Sequence, residues 1–268
     1  MITPSNPNGE LSVEGCYLSH TRGCGGPITR EHLISESVLK LLNQGELLTL
    51  AGAAWQQPGE STKIGLSALT AKCLCEHHNS TSLSPLDAAA KAFFAAVQSA
   101  ALNNSGPPIS ILVSGHDIER WMLKTLFALA HGKILARNGQ VLPKRFHEGI
   151  DEAQLLTNPN AWPERAGLYS THFVGQLVNA RNYLDVASIT VPANDALIGL
   201  RFTILGLTFD FMADLPPNSS IGTNVLYRPG RLTFRQGSLV NEVIISWIDG
   251  VKDHGTVAFD TEKPKAWG

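Results

Sequence analysis

Three stretches of the chain carry apolar residues at the spacing of an α-helix. The first, residues 35–42, is short. The second runs from Ser84 to residue 103, with the serine as a candidate N-cap and Pro85 at the first helical position. The third covers residues 117–131, and Gly132 can end it. The pattern therefore predicts three helices whose apolar faces pack into a core.

Beyond residue 187 the apolar positions alternate as they do in β-strands. The predicted strands are residues 188–191, 197–212, 224–227, 232–235, 243–248 and 256–259. Pro229-Gly230 and Asp249-Gly250 are the predicted hairpin turns. In the run 197–212 the apolar parity switches at Gly206, which predicts a bulge or a sharp bend inside one long strand.

The clearest break along the chain is Gly106-Pro107-Pro108, which follows the second predicted helix. It predicts two domains, residues 1–106 and 107–268. Residues 43–68, with scattered glycines and a proline, are predicted to be a variable insertion in the first domain. The second domain is predicted to combine helices with an antiparallel sheet, and no motif in it indicates a chemistry.

The length and net charge of the chain bear on whether it is a nucleic-acid-binding protein. The chain has 268 residues, a formal net charge of −2 and a pI near 6.5. Proteins that bind nucleic acids often carry a basic surplus, which this composition lacks. Any binding of phosphate must therefore come from local geometry, from a bound metal ion or from a basic face that the overall composition hides.

Neither the start of the chain nor its longest apolar run indicates a secreted or membrane protein. The start, MITPSNPNGE, has no basic and apolar segments of a secretory signal. The longest apolar run, residues 197–212, is too short to span a bilayer and is interrupted by Arg201 and Asp210. We expect a cytoplasmic protein without membrane contact. In that reducing compartment thiols favour zinc over disulfides.

All four cysteines lie before residue 76, close to several histidines. Cys75 and His78 have the spacing of one zinc-ligand pair, and Cys16 with Cys24 can supply the second. Cysteines that staple a fold through disulfides would usually be spread along the chain. The cluster predicts one structural Zn²⁺ bound by these four residues.

Other ligands compete with this assignment. Cys73 and Cys75 alternate along an extended segment and point to the same face, so Cys73 is a rival ligand. His77 and His20 are further rivals. The alternative without metal is a group of reduced core cysteines.

Two motifs within the first ninety residues resemble a known family. They are ITREHLI at residues 28–34 and CLCEHHNSTSLSPLD at residues 73–87. Together they resemble the HNH, or ββα-metal, endonucleases of the zinc-knuckle subtype. In that family a histidine on the first strand, an asparagine in the turn and a metal ligand in the helix form one compact site. The resemblance covers about residues 12–100.

The resemblance implies a role for each matched residue. His32 would be the general base and Asn79 the residue that braces the turn. Glu31 and Asp87 would be ligands of a catalytic divalent ion. The chemistry asks for the same residue types, because imidazole titrates near neutral pH and carboxylates suit Mg²⁺ or Mn²⁺.

Each of these roles has a structural alternative. Glu31 can be a surface charge and His32 a packing residue. Ser84 and Asp87 have the spacing of a capping box, which would satisfy the start of the helix and bind no metal. If Asp87 is not the ligand, His77 is the nearest other candidate.

The predicted fold class is therefore α+β, with an N-terminal zinc-stapled ββα-metal module and a C-terminal domain of helices and antiparallel sheet. The predicted function is metal-dependent hydrolysis of DNA, with structural Zn²⁺ and catalytic Mg²⁺ or Mn²⁺. The C-terminal domain would select the target, bind a regulatory partner or form a homo-oligomer. The alternatives are a catalytically inactive zinc scaffold for nucleic-acid or protein contacts, and an enzyme acting on a small phosphodiester.

Overall fold

The structure is a computed structural model, and it describes most of the chain. The described residues are 2–4, 11–19, 21, 23–43, 47–137, 140–142, 146, 150–158, 161–171, 177–178, 183–215, 225–251 and 253–261.

The described residues form four α-helices, the first three of which confirm the predicted ones. They are α1 (Glu36–Asn43), α2 (Ser84–Leu102), α3 (Gly115–His131) and α4 (Glu152–Thr157). A π-helical turn, His78–Ser82, directly precedes α2.

The ends of α2 and α3 show which sequence signals hold. Pro85 lies in the first turn of α2, as predicted, but the N-cap residue is Leu83 and makes no side-chain cap. The predicted serine cap at Ser84 is therefore wrong. In α3, the Ser114 hydroxyl accepts a hydrogen bond from Asp117 N at 3.3 Å. Gly132 ends α3, as predicted.

The strands of the described residues are short and numerous. In chain order they are β1 (Ile2–Pro4), β2 (Leu11–Val13), β3 (Ile28–His32), β4 (Leu48–Ala51), β5 (Ser61–Ile64), β6 (Thr70–Cys75), β7 (Ser110–Ser114), β8 (Ala136–Arg137), β9 (Gln140–Val141), β10 (Gly167–Thr171), β11 (Leu177–Val178), β12 (Tyr183–Thr190), β13 (Leu197–Ile204), β14 (Leu207–Met212), β15 (Val225–Tyr227), β16 (Arg231–Gln236), β17 (Leu239–Ser246) and β18 (Thr256–Thr261).

Two large sheets contain most of these strands. A seven-stranded sheet has the order β15-β10-β14-β13-β12-β4-β5, and a five-stranded sheet has the order β11-β18-β16-β17-β7. Strands β1 with β2, β3 with β6, and β8 with β9 form two-stranded sheets. The fold class is α+β, as predicted. Both large sheets are mixed rather than antiparallel, because β12 pairs parallel with β4, and β7 pairs parallel with β17.

The apolar run 197–212 is two strands rather than one bent strand. Leu205 (φ 54°) and Gly206 (φ 76°) both have left-handed backbone conformations and form a two-residue turn, and Ile204 pairs with Leu207. Residues that face each other across such a turn, such as Ile204 and Leu207, are three positions apart in sequence. Positions that face the same side of the sheet are therefore even-numbered before the turn and odd-numbered after it. The parity switch was a correct signal, but it marks a hairpin.

The two predicted hairpin turns are wrong. Pro229-Gly230 joins β15 and β16, which belong to different sheets, and Asp249-Gly250 joins β17 and β18, which are not neighbours. The hairpin in this region is β16–β17, with Gly237 (φ 59°) in its turn. Proline and glycine mark where the chain turns, but they do not identify the strand with which the next strand pairs.

Helices α2 and α3 pack on each other and contact both large sheets. Aromatic side chains fill the contact with the seven-stranded sheet: Phe93 lies 5.6 Å from Phe209, and Trp121 lies 5.7 Å from Phe202, between ring centroids. The hydrophobic core is continuous from the N-terminal half to β18.

This core crosses the predicted boundary at residues 106 and 107. Strands β4 and β5 come from residues 43–68, which were predicted as an insertion, and they complete the seven-stranded sheet. The boundary signal Gly106-Pro107-Pro108 lies in the connection between α2 and β7. It therefore marks a turn and does not mark a break in the core.

Candidate metal centre and the predicted catalytic residues

The candidate site is built on the antiparallel pair β3–β6. Ile28 pairs with Cys75 at one end and His32 with Thr70 at the other, with a register shift between Thr29 and Arg30. The chain leaves β6 at Cys75, makes the π-helical turn and enters α2. The sulfur ligands of the predicted zinc site therefore lie at one end of the strand pair, and the predicted general base lies at the other.

Cys16, Cys24, Cys75 and His78 form one buried cluster. Their ligand atoms all lie within 4.8 Å of one another. The Cys24 and Cys75 Sγ atoms are 3.7 Å apart, and His78 Nδ1 lies 3.4 Å from Cys16 Sγ and 3.3 Å from Cys75 Sγ. These are the four residues that the sequence predicts as the zinc ligands. Together they can bind a metal ion, consistent with structural zinc.

The separations fit a tetrahedral zinc ion. With zinc–sulfur bonds of about 2.3 Å and zinc–nitrogen bonds of about 2.0 Å, ligand atoms at tetrahedral angles lie roughly 3.8 Å apart for two sulfurs and roughly 3.5 Å apart for sulfur and nitrogen. The Cys24–Cys75, Cys16–His78 and Cys75–His78 separations, 3.7, 3.4 and 3.3 Å, are close to these values. Three sulfurs and one imidazole nitrogen form a known structural zinc set.

Thr21 fixes the ring of His78 from the far side. The Thr21 hydroxyl lies 2.9 Å from His78 Nε2 and itself donates to Leu18 O at 2.8 Å. Because the hydroxyl proton is used on the carbonyl oxygen, we assign the Nε2 hydrogen to the bond with Thr21, which leaves Nδ1 as the acceptor that faces the sulfurs. This is the outer-shell arrangement that orients a metal-binding histidine.

Two glycines let the loop before β3 approach the turn that follows β6. A Cβ atom at Gly23 would lie 2.9 Å from His77 Nε2, and a Cβ atom at Gly26 would lie 2.9 Å from the Glu76 side chain. Both glycines have positive φ angles, 84° and 76°. Next to them, Gly25 N donates to Cys75 Sγ at 3.4 Å.

The thiols of the cluster differ in acidity. Burial raises the pKa of Cys16 to about 12. Burial also acts to raise the pKa of Cys75, but hydrogen bonds from the His78 and Gly25 backbone and from the other two thiols lower it overall. Metal binding at this cluster must therefore release at least the proton of Cys16.

The two rival ligands that the structure describes, Cys73 and His77, do not join the cluster. Cys73 is buried, and its carbonyl accepts from Tyr17 N at 3.0 Å, but its thiol is not among the grouped ligand atoms. The side chain of His77 is exposed. His20 lies outside the described residues.

Asn79 connects the turn after the cluster to the first strand. Its side-chain amide donates to Thr29 Oγ1 at 2.9 Å and to Arg30 O at 3.1 Å. The cross-loop bracing contact expected from the sequence is present, two residues before His32. A catalytic role for Asn79 stays a prediction.

His32 is the last residue of β3 and is partly exposed. Within the described part of the chain, its ring has no hydrogen-bond or ion-pair partner. An imidazole in this position can accept a proton from a water molecule at the surface. Its role as general base stays a prediction.

Glu31 and Asp87 do converge, and a lysine ammonium lies between them. Lys124 Nζ, from α3, is 2.7 Å from Glu31 Oε1 and 2.7 Å from Asp87 Oδ2. Glu31 and Lys124 are almost fully buried, and 27% of the Asp87 side chain is exposed. Asp87 does not form the alternative capping box, and Glu31 is not the alternative surface charge.

A hydrogen-bond chain extends this ion group. Trp121 Nε1 donates to Ser35 Oγ at 2.6 Å, and Ser35 Oγ donates to Asp87 Oδ1. Burial acts to lower the pKa of Lys124, but the two carboxylates outweigh burial and hold the pKa above its usual value. The ammonium therefore stays charged, as a buried cation with two anionic partners does.

The sequence patterns did not indicate Lys124, Ser35 or Trp121 as members of this site. For Lys124 the helix pattern gave no signal, because the lysine lies on the same helix face as the polar residues Asp117, Arg120 and His131. A signal was available for Glu119, which lies among apolar positions of α3 and needs a partner there; it is fully buried and accepts from Arg228 Nε at 2.8 Å and Nη2 at 2.9 Å. Helix α3 thus carries two buried ion groups.

Comparison with known proteins adds no family: no protein-family model, curated protein or solved structure matches this chain. No helix among the residues described above is both long and apolar enough to cross a membrane.

Proposed function

We propose that this chain holds one Zn²⁺ through Cys16, Cys24, Cys75 and His78, and that it is an HNH-type endonuclease that hydrolyses DNA. The observation that carries the proposal is the link between the two parts of the site. Asn79 follows the cluster residue His78 directly and hydrogen-bonds the first strand two residues before His32. The zinc would hold one end of β3–β6 and the asparagine would keep the strand end in place.

The zinc would be structural. Its four ligands are all protein side chains, which leaves no open position for water or substrate. The cluster is buried. It joins the loop before β3 to the turn before α2, two segments that otherwise meet through few hydrogen bonds, such as His77 N to Gly25 O at 3.2 Å. A zinc–thiolate site of this kind suits the reducing cytoplasm, where we place the protein.

In the proposed reaction His32 takes a proton from the water that attacks the phosphorus atom. A divalent ion, Mg²⁺ or Mn²⁺, would neutralise the charge that develops on the phosphate oxygens. Glu31 and Asp87 are the residues that the family resemblance assigns to this ion. In the structure both hold Lys124, so they can take the ion only after the lysine moves away.

Plasmid nicking in Mg²⁺ or Mn²⁺ tests the catalytic part. Wild-type protein should convert supercoiled plasmid to open circles, and His32→Ala should lose at least a hundredfold in rate. His116→Ala, which removes a histidine on α3, serves as the matched control and should keep the rate. Nicking that is equal in wild type and His32→Ala contradicts the role of His32.

The second candidate is a catalytically inactive zinc scaffold for nucleic-acid or protein contacts. The specific observation in its favour is the ion group itself, because both predicted metal-binding carboxylates already share a lysine ammonium as their partner. If no variant and no wild-type preparation cuts plasmid, while zinc is bound, the scaffold is the better account. Turnover of a chromogenic phosphodiester without plasmid cleavage would instead indicate a small substrate.

Residues 107–268 would supply target selection, a surface for a regulatory partner or a homo-oligomer contact. Their sheets and helices share one core with the candidate site. We therefore expect that a partner bound there can influence the site through α3, which carries Lys124.

A further inference from the structure

Lys124 occupies the point on which two carboxylates of the predicted catalytic site converge. Its Nζ atom lies 2.7 Å from Glu31 Oε1, 2.7 Å from Asp87 Oδ2 and 2.8 Å from Asp87 Oδ1. The three groups come from β3, α2 and α3, so the contact is made by the tertiary fold and not by a local motif.

The surroundings hold the ammonium in this place. Only 3% of the Lys124 side chain is exposed, and the helix around it is packed between other elements. The Ser35 hydroxyl satisfies Asp87 Oδ1 from another side and is itself held by the Trp121 indole. A lysine that left this site would leave two carboxylates, one of them almost fully buried, without a cation.

A divalent ion and this ammonium cannot share the site. Mg²⁺ binds carboxylate oxygens at about 2.1 Å, so an ion bridging Glu31 and Asp87 would lie where Nζ now lies. Two carboxylates with one ammonium leave a formal charge of −1, which the two hydrogen bonds of the Ser35 chain disperse. The site therefore has a cation of its own.

We infer that Lys124 is the resident cation of the Glu31–Asp87 site and that it excludes divalent metal ions from these carboxylates in the wild-type protein. The inference concerns cation binding alone and does not depend on nuclease activity. If the proposed hydrolysis uses a divalent ion, that ion must be held by other groups, with the phosphate of the substrate as a ligand.

Titration with Mn²⁺, followed by the electron paramagnetic resonance signal of the free ion, tests the inference on the zinc-loaded full chain. Manganese ranks lowest in affinity among the first-row divalent ions, so it will not displace zinc from the thiolates. Wild-type protein should show no Mn²⁺ binding that depends on Glu31 or Asp87. Lys124→Met, which keeps an unbranched side chain one atom shorter and removes the charge, should bind one Mn²⁺ at least tenfold more tightly than wild type does.

Three controls make the result specific. Lys91→Met removes one exposed positive charge from α2 and should behave as wild type. Lys124→Arg keeps the charge and should not gain the Mn²⁺ site. Lys124→Met/Asp87→Asn should lose the site that Lys124→Met gains.

Two results overturn the inference. One is Mn²⁺ binding by wild-type protein that disappears in Glu31→Gln or Asp87→Asn. The other is a folded, zinc-loaded Lys124→Met protein that binds no additional Mn²⁺. If Lys124→Met does not fold, Lys124→Gln takes its place. Comparison of Mn²⁺ binding by wild type, Glu31→Gln and Asp87→Asn also tests the inference without any Lys124 variant.

Discussion

The cysteine–histidine cluster and the Glu31–Asp87 pair are two predicted metal sites on the same strand pair and helix, and they differ in what faces their ligand atoms. In the first, three sulfurs and one nitrogen lie within 4.8 Å of one another, and the Cys24–Cys75 and Cys75–His78 separations are close to those of tetrahedral zinc ligands. In the second, the oxygens surround the ammonium of Lys124. The predicted ligand atoms come together in both places, but at the second the structure places a lysine ammonium between the two carboxylates.

The difference between the two sites shows what a short sequence motif can predict and what it cannot. The ligands of the first site lie in two short segments, residues 16–24 and 75–78, and the pair Cys75 and His78 has the spacing of zinc ligands. The cation of the second site comes from α3, 37 residues beyond Asp87. A motif that ends at Asp87 cannot contain the residue that neutralises it.

Removal of a zinc ligand should have the largest effect. Cys75→Ser should lose the metal and unfold the strand pair, because structural zinc sites contribute on the order of 10 kcal/mol of binding free energy to folding. Circular dichroism and zinc content measure both losses. Cys73→Ser is the matched control, since Cys73 is buried on the same strand but lies outside the cluster, and it should keep its zinc.

Removal of the internal cation should come next. Lys124→Ala leaves Glu31 buried without its partner, and we expect a loss of about 3–5 kcal/mol in the free energy of unfolding. Urea denaturation measures it, with Lys91→Ala as the exposed control. A loss below about 1 kcal/mol would mean that the ion group contributes no more than a surface salt bridge does.

A smaller effect should follow from the outer partner of the zinc ligand. Thr21→Val keeps the shape of the side chain and removes the hydroxyl that orients His78. Zinc affinity should fall about 10- to 100-fold, measured by competition with a chromogenic chelator. The fold should persist at saturating zinc. An unchanged affinity would show that packing alone orients the imidazole.

The smallest of the four effects should come from Asn79, which connects the turn after the cluster to β3. Asn79→Ala removes two hydrogen bonds to β3 and should cost about 1–2 kcal/mol in the free energy of unfolding. Zinc content should not change, because no cluster residue is altered. A variant that loses zinc would place Asn79 in the metal site rather than beside it.

Local signals in the sequence predict the helices and the ligand cluster well. The apolar spacing of α1, α2 and α3 is strong, and Gly132 ends α3 as predicted. The four cluster residues follow from residue type and spacing. The sequence could not decide between Cys73 and Cys75, because alternation along the strand places both thiols on the same face. The choice depended on which thiol lies nearer the loop before β3.

Long-range pairing accounts for what the sequence could not predict. The pairing of β4 with β12 joins residues that are more than a hundred positions apart, so residues 43–68 appeared to be an insertion. The two predicted hairpins failed because Pro229-Gly230 and Asp249-Gly250 mark turns without identifying strand partners. The contact of Lys124 with Glu31 is of the same kind, since only the packing of α3 against β3 and α2 creates it.

Metal content of the purified protein, measured by elemental analysis after dialysis against a buffer with Mn²⁺, tests the central claim most directly. The account predicts one zinc and no manganese per chain, with the zinc lost in Cys75→Ser and kept in His32→Ala. A wild-type protein without zinc would contradict it, as would zinc retained by Cys75→Ser. Manganese that stays bound to wild type and leaves in Asp87→Asn would contradict the assignment of Lys124 as the cation of the second site.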